Sequence, residues 1–121
     1  MAARGGAVTA ARSRADAETR NGIRHPCCSL YHRAVELVGK RWTGAILSVL
    51  LDGPLRFSEI RQLVPDLSDR LLSERLKELE AEEIVARKSD ESGCKVYELT
   101  AKGQALEPAV RALKSWAQDY L

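Results

Sequence analysis

The sequence predicts a mainly helical α+β domain, and three observations carry that prediction. Apolar residues recur at helical spacing from Ser29 to Leu51 and again from Ala101 to Tyr120. Between them, a short helical stretch and a longer one are separated by the breaker Pro65-Asp66-Leu67. Directly after the longer one, the β-prone runs Ile84-Val85-Ala86 and Val96 to Leu99 flank the loop Ser89-Asp90-Glu91-Ser92-Gly93.

Taken in order, the first helix starts at Ser29, gathers Leu30, Ala34, Leu37 and Val38 on one face and stops at Gly39. A second, apolar helix runs from about Trp42 to Leu51 and ends at the turn Asp52-Gly53-Pro54. Ser58 is placed as the N-cap of a brief third helix, with Ile60, Leu63 and Val64 on one face and Pro65 as its end. Ser68 caps a fourth helix that extends to about Glu82, with Leu67 and Leu72 at the positions of a hydrophobic staple. A β-hairpin follows, and one continuous helix from about Ala101 to Tyr120 carries the stripe Leu106, Val110, Leu113, Trp116, Ala117 and Tyr120. Two short helices joined by a tight turn, with a hairpin straight after the second, make a winged helix-turn-helix with a two-stranded wing. That scaffold commonly sets its second helix in the major groove of DNA.

With 121 residues the chain has the size of one domain, able to bury a core without staples. Its longest apolar stretch, Ala45 to Leu51, is broken by Ser48 and is far shorter than the roughly 20 residues of a membrane span. Met1 to Gly22 has no apolar core that would make it a secretory signal, so a cytoplasmic protein without membrane contact is expected. Three cysteines in such a chain are read as thiols rather than as a disulfide framework. The arm 1–25 holds five arginines against two acids, a charge of +3, and is expected to be a disordered Ala/Arg/Gly-rich tail; the domain proper is 26–121. That remainder has 14 bases and 15 acids, so nucleic-acid binding has to come from a local basic face.

The fourth helix offers such a face. At about 100° per residue, Leu71, Leu72, Leu76 and Leu79 fall on the core side, and Arg70, Ser73, Glu74 and Lys77 fall opposite. Arginine reads guanine with two hydrogen bonds, serine serves base edges or phosphates, lysine meets phosphate, and Glu74 accepts from cytosine or orients Arg70 one turn away. The same four residues also make an ordinary solvated face. Arg75 borders the apolar stripe, so its stem packs while its head reaches a phosphate or an acidic neighbour. Arg56, Ser58 and Ser68 are further phosphate candidates near helix starts. Arg87, Lys88 and Lys95 flank the hairpin loop and are placed to track the DNA backbone in the adjacent minor groove, a contact that Asp90 and Glu91 at the loop's tip oppose.

These blocks resemble a family. "GKRW", "GPLRF", "LSERLKELE" and "YELTAKG", in this order and spacing from about Cys28 to Trp116, are similar to the HxlR-type branch of MarR-like winged-helix transcription regulators. The resemblance implies a homodimeric DNA-binding regulator, usually a repressor, that dimerises through its N- and C-terminal helices and sets its fourth helix on a double-stranded operator. Leu30, Leu106, Val110, Leu113, Trp116 and Tyr120 are the implied interface residues. It further implies a thiol redox sensor ahead of helix one, open to a quinone, aldehyde or oxidant as inducer, and Cys28 stands at that place. A thiol there sits at the positive end of a helix dipole, with His32 one turn along and Arg33 beside it, which favours the thiolate. Many relatives follow that cysteine with proline; here Pro26 precedes the pair Cys27-Cys28, which leaves open which thiol reacts. Cys94, in the wing, matches no sensor of the family.

Two other readings stand beside this one. His25, Cys27, Cys28 and His32 are all metal-capable, which allows a metal-sensing regulator, although adjacent cysteines rarely converge on one tetrahedral ion. A winged helix also serves as a protein-interaction adapter. No Gly-rich phosphate loop, nucleophile elbow or paired carboxylates point to an enzyme, and no cofactor is implied.

Overall fold

Pro26 and residues 28–121 are described by a computed structural model. The arm 1–25 and Cys27 lie outside the described residues, and with them the expectation of a disordered tail. The chain divides into two units at Arg33/Ala34. Along the described chain the elements are α1 Ser29–Val38, α2 Thr43–Leu50, α3 Phe57–Leu63, α4 Asp69–Ala81, β1 Val85–Ser89, β2 Lys95–Leu99, α5 Ala101–Gln104 and α6 Glu107–Tyr120. This is the mainly helical winged helix-turn-helix expected from the sequence.

Gly39 closes α1 as predicted, with its N–H bonded to the Val35 carbonyl at 2.8 Å. A Cβ there would lie 2.6 Å from that oxygen, so only glycine fits. The connection to α2 then passes through Trp42 at φ 75°, a left-handed conformation that costs a non-glycine residue on the order of 1–3 kcal/mol and needs surrounding contacts to hold it. α2 repays this by burying Ile46, Leu47 and Leu50.

The start of α3 differs from the expectation. Its N-cap is Arg56, and Ser58 is the second residue inside the helix. The reason lies one residue further on, where the Glu59 carboxylate accepts the Arg56 N–H at 2.7 Å and satisfies an end group from within the first turn. At α4 the expected cap is present, with Ser68 Oγ accepting the Leu71 N–H at 3.2 Å and Leu67 buried beneath it. Leu72, Leu76 and Leu79 are buried and Leu71 is partly so.

The wing pairs in antiparallel register from Val85↔Leu99 to Ser89↔Lys95. Leu55 adds a further bridge to Tyr97 on the other side of β2, with bonds of 3.0 and 2.8 Å in the two directions. Ile84, Val85 and Leu99 close the core that α2, α3 and α4 line.

The expected single C-terminal helix is two. α5 ends at Gln104 and α6 restarts at Glu107. Pro108 is the cause: an unbroken helix would require an N–H from residue 108 to the Gln104 carbonyl, and proline has none and clashes there, whereas in a first turn it is tolerated. Thr100 caps α5 by accepting the Gly103 N–H at 3.1 Å and donates its hydroxyl to the Glu83 carbonyl at 2.6 Å. Gly103 itself is buried against the Ile84 carbonyl.

Candidate nucleic-acid interface and thiol site

Periodicity predicts the outer face of α4, and the structure presents Arg70, Glu74 and Lys77 to solvent with Ser73 partly exposed. The Arg70 side chain is 90% exposed, and its Nε donates to Glu74 Oε2 at 3.3 Å, one turn along. The pair holds the guanidinium over the face without burying it. Arg75 is different. Its side chain is only 15% exposed, its Nε donates to the Arg41 carbonyl at 3.0 Å, and its Nη1 donates to both Glu78 oxygens at 3.3 and 3.4 Å. Of the two expected ends for this side chain, the acidic neighbour is the one observed.

Arg56 is joined to the wing. Its Nε and Nη2 donate to Asp90 Oδ2 at 3.2 and 2.8 Å, while Asp90 Oδ1 accepts the N–H groups of Ser92 and Cys94, each at 2.9 Å. The Cys94 N–H first, and then Arg56, hold the Asp90 carboxyl below the ordinary carboxylate range; Asp90 in turn raises the Arg56 guanidinium. Asp90 therefore ties the wing loop to the start of α3. Ser58 is exposed beside Arg56, and the Ser68 hydroxyl is engaged as a cap. In the wing, Arg87 pairs with Glu80 at 3.5 Å and Lys88 with Glu98 at 3.4 Å, and Lys95 is exposed at the start of β2.

Three residues of this surface, Arg61, Gln62 and Asp69, are not among those the sequence singles out. Arg61 of α3 forms an ion pair with Asp69 across the helix-turn-helix turn, and together with Ser58 and Gln62 these side chains line a shallow hollow of about 430 Å³. The signal was present, since Arg61 follows Ser58 by three residues and so shares its face.

Cys28, just ahead of α1, is exposed. The N–H groups of Tyr31 and Leu30 in the first turn bond to its sulfur and hold the thiol below its ordinary range. The helix-start argument thus takes a concrete form in two donors. His32 follows one turn along, its N–H bonded to the Cys28 carbonyl at 3.0 Å. Of the metal-capable set, His25 and Cys27 lie outside the described residues, and among the described residues no group of three or more His, Cys, Asp and Glu could hold an ion.

The implied interface residues fall into two groups. Leu30, Leu113, Trp116 and Tyr120 are exposed, with Trp116 and Tyr120 rings 5.7 Å apart, whereas Leu106 and Val110 are half-buried against the core. Between α2 and α6 runs an apolar groove of about 390 Å³ lined by Val38, Ala45, Leu47, Leu106, Val110 and Leu113. The share of α2 in that groove was not expected. Among the described residues no helix is long and apolar enough to cross a membrane.

Comparison with known proteins agrees with this geometry. A family described as "HxlR-like helix-turn-helix" matches residues 37–121. The chain is 46% identical over 95 residues to the HTH-type transcriptional regulator YodB of Bacillus subtilis (strain 168), covering 77% of this chain and 85% of that protein. Among solved structures, the quinone-bound YodB of B. subtilis superposes with a TM-score of 0.68 at 44% identity, covering 77% of this chain and all of that one. The redox regulator HypR in its oxidised form gives a TM-score of 0.71 at 32% identity, over 78% of this chain and 98% of that one. With 85 residues inside the family match and relatives of this identity over most of their length, the chain belongs to the HxlR-like helix-turn-helix family of DNA-binding transcriptional regulators.

Proposed function

We propose that this chain is a homodimeric cytoplasmic repressor that binds a near-palindromic double-stranded operator and releases it when Cys28 is modified by a quinone, aldehyde or oxidant. The observation that carries the thiol part is the exposed Cys28 sulfur with the Tyr31 and Leu30 N–H groups directed at it, which favours the nucleophilic thiolate. That quinone-bound YodB and oxidised HypR are structural relatives supports the same chemistry here. Arg70, Ser73, Glu74 and Lys77 would meet the major groove, and Arg56, Ser58, Ser68, Lys88 and Lys95 the phosphates around it. Two-fold symmetry would then place two copies of α4 about one helical turn of DNA apart. The exposed apolar residues of α1 and α6 supply the faces for a second copy, since an unpartnered stripe of this kind marks an interaction surface.

The deciding experiment is a titration against DNA from the chain's own upstream region, reduced and after quinone or diamide treatment, for the parent and Cys28→Ser. Tight, salt-sensitive binding that treatment abolishes only in the parent is the expected result. Tight binding that treatment leaves unchanged would remove the thiol switch and keep the regulator. Persistent release in Cys28→Ser would move the switch to Cys27 or Cys94.

A further inference from the structure

α4 carries three basic residues in the stretch from Arg70 to Lys77, and one of them is engaged by the protein itself. Arg70 and Lys77 are exposed on the outer side of the helix, while Arg75 and Glu78 lie on its flank, against the turn between α1 and α2. That turn is the strained one. Trp42 stands at φ 75°, Thr43 N–H bonds the Lys40 carbonyl at 3.0 Å, and the Arg41 guanidinium lies 5.4 Å from the centre of the Trp42 ring. Arg75 reaches across 34 residues to the carbonyl of Arg41, and Lys40 Nζ meets Glu78 at 3.2 Å from the turn's side. The turn and the flank of α4 are therefore joined from both directions.

Leu72, Leu76 and Leu79 fix how deeply α4 sits and which side faces the core, but aliphatic contacts are non-directional and set the roll about the helix axis less sharply than a directed bond. A hydrogen bond to a backbone carbonyl is directional, and its acceptor cannot follow a rotating side chain. We propose that Arg75 is a positioning residue for DNA recognition: through the Arg41 carbonyl and Glu78 it sets the roll of α4, and hence which base edges Arg70 and Ser73 meet, without touching DNA itself. Withdrawing it toward a phosphate would leave the Arg41 carbonyl without this donor and Glu78 without one of its two cations. The inference rests on the reading that the outer face of α4 meets DNA.

The test uses a duplex selected by the full-length parent protein from a random-sequence pool and a scrambled duplex of equal length. For Arg75→Met, which keeps the packed stem, the ratio of selected to scrambled affinity should fall by about tenfold, the scale of one lost base-pair contact. The slope of log affinity against log salt should stay that of the parent, and Arg75→Lys, able to donate to the Arg41 carbonyl, should recover part of the ratio. A fall in affinity shared by both duplexes, with a slope flatter by about one, would make Arg75 a phosphate ligand and overturn the proposal. An unchanged ratio would overturn it as well. Should Arg75→Met fail to fold by circular dichroism, Glu78→Gln is measured in its place, with a smaller fall in the ratio at constant slope as the expected result. A folded parent that selects no duplex would fail the DNA reading of α4 first, before any variant is made, and the role of Arg75 with it.

Discussion

Replacing Gly103 by alanine should destabilise the protein by about 3 kcal/mol, although alanine is the better helix former. A Cβ at this position would fall well inside the 3.0 Å that such atoms keep from the Ile84 carbonyl oxygen, and 3.1 and 3.2 Å from Leu99 Cδ2 and Ile84 Cγ2. The side-chain contacts can yield by a few tenths of an ångström, but the carbonyl belongs to the backbone entering β1. It also accepts the Thr100 N–H at 2.9 Å and, at 3.2 Å, shares the Thr100 hydroxyl proton with the Glu83 carbonyl. To clear the carbonyl α5 must retreat by roughly 0.7 Å, which stretches both bonds beyond hydrogen-bond length. Two such bonds contribute about 2 kcal/mol, residual overpacking adds about 2 kcal/mol, and the helix propensity of alanine returns about 1 kcal/mol. In a domain of this size that lowers the thermal midpoint by roughly 10–20 °C. The assay is thermal and urea unfolding followed by circular dichroism, at one fixed protein concentration because self-association would shift the midpoint. A Gly103→Ala variant as stable as the parent would refute the close approach of α5 to β1.

Other variants test the site. Arg70→Ala should relax sequence preference at one base position, and Lys77→Ala should weaken binding evenly across sequences and flatten its salt slope by about one unit; competition binding with mutated duplexes separates the two. Because the Asp90 carboxyl is held low by the Cys94 N–H and Arg56, its contribution to stability is present above the ordinary aspartate range and is lost as pH falls through the lowered value. Asp90→Asn should thus be less stable than the parent at neutral pH, with the gap closing below about pH 4, as urea midpoints across pH would show. With Cys27 and Cys94 changed to serine, alkylation of Cys28 by iodoacetamide should reach half its maximal rate at a pH below the ~8.5 of a free cysteine, and a midpoint at or above that value would contradict the two N–H donors. Leu76→Ala, at a fully buried position of α4, should cost about 2–5 kcal/mol in urea unfolding.

What the sequence made legible was whatever repeats with a period or sits within one turn. Leu72, Leu76 and Leu79 declare a buried face by spacing, Ser68 declares a cap by chemistry, and the wing's two runs declare a hairpin. Ser58 misled because a serine near a helix start is a common cap, and here the Glu59 carboxylate fills that role from inside the first turn. Pro108 was legible in principle, since its missing N–H breaks any helix drawn through it, but the apolar stripe on either side outweighed it. The pairs Arg56–Asp90 and Arg75–Arg41 each span 34 residues, and no local pattern encodes them. They follow only once α3 meets the wing and α4 meets the turn before α2.

The bridge between Leu55 and Tyr97 bears on how far the wing is open to strand addition. A hairpin standing out from a domain ordinarily offers two open strand edges to which another chain's strand can add. Here β2 is hydrogen-bonded to β1 on one side and closed at Tyr97 by Leu55 on the other, which leaves β1 as the long open edge among the described residues. That edge carries Arg87 and Lys88 in succession, held by Glu80 and Glu98, and long charged side chains on an edge strand hinder the docking of another strand. A wing built this way can be held out toward a polyanion without acting as a template for intermolecular β-sheet.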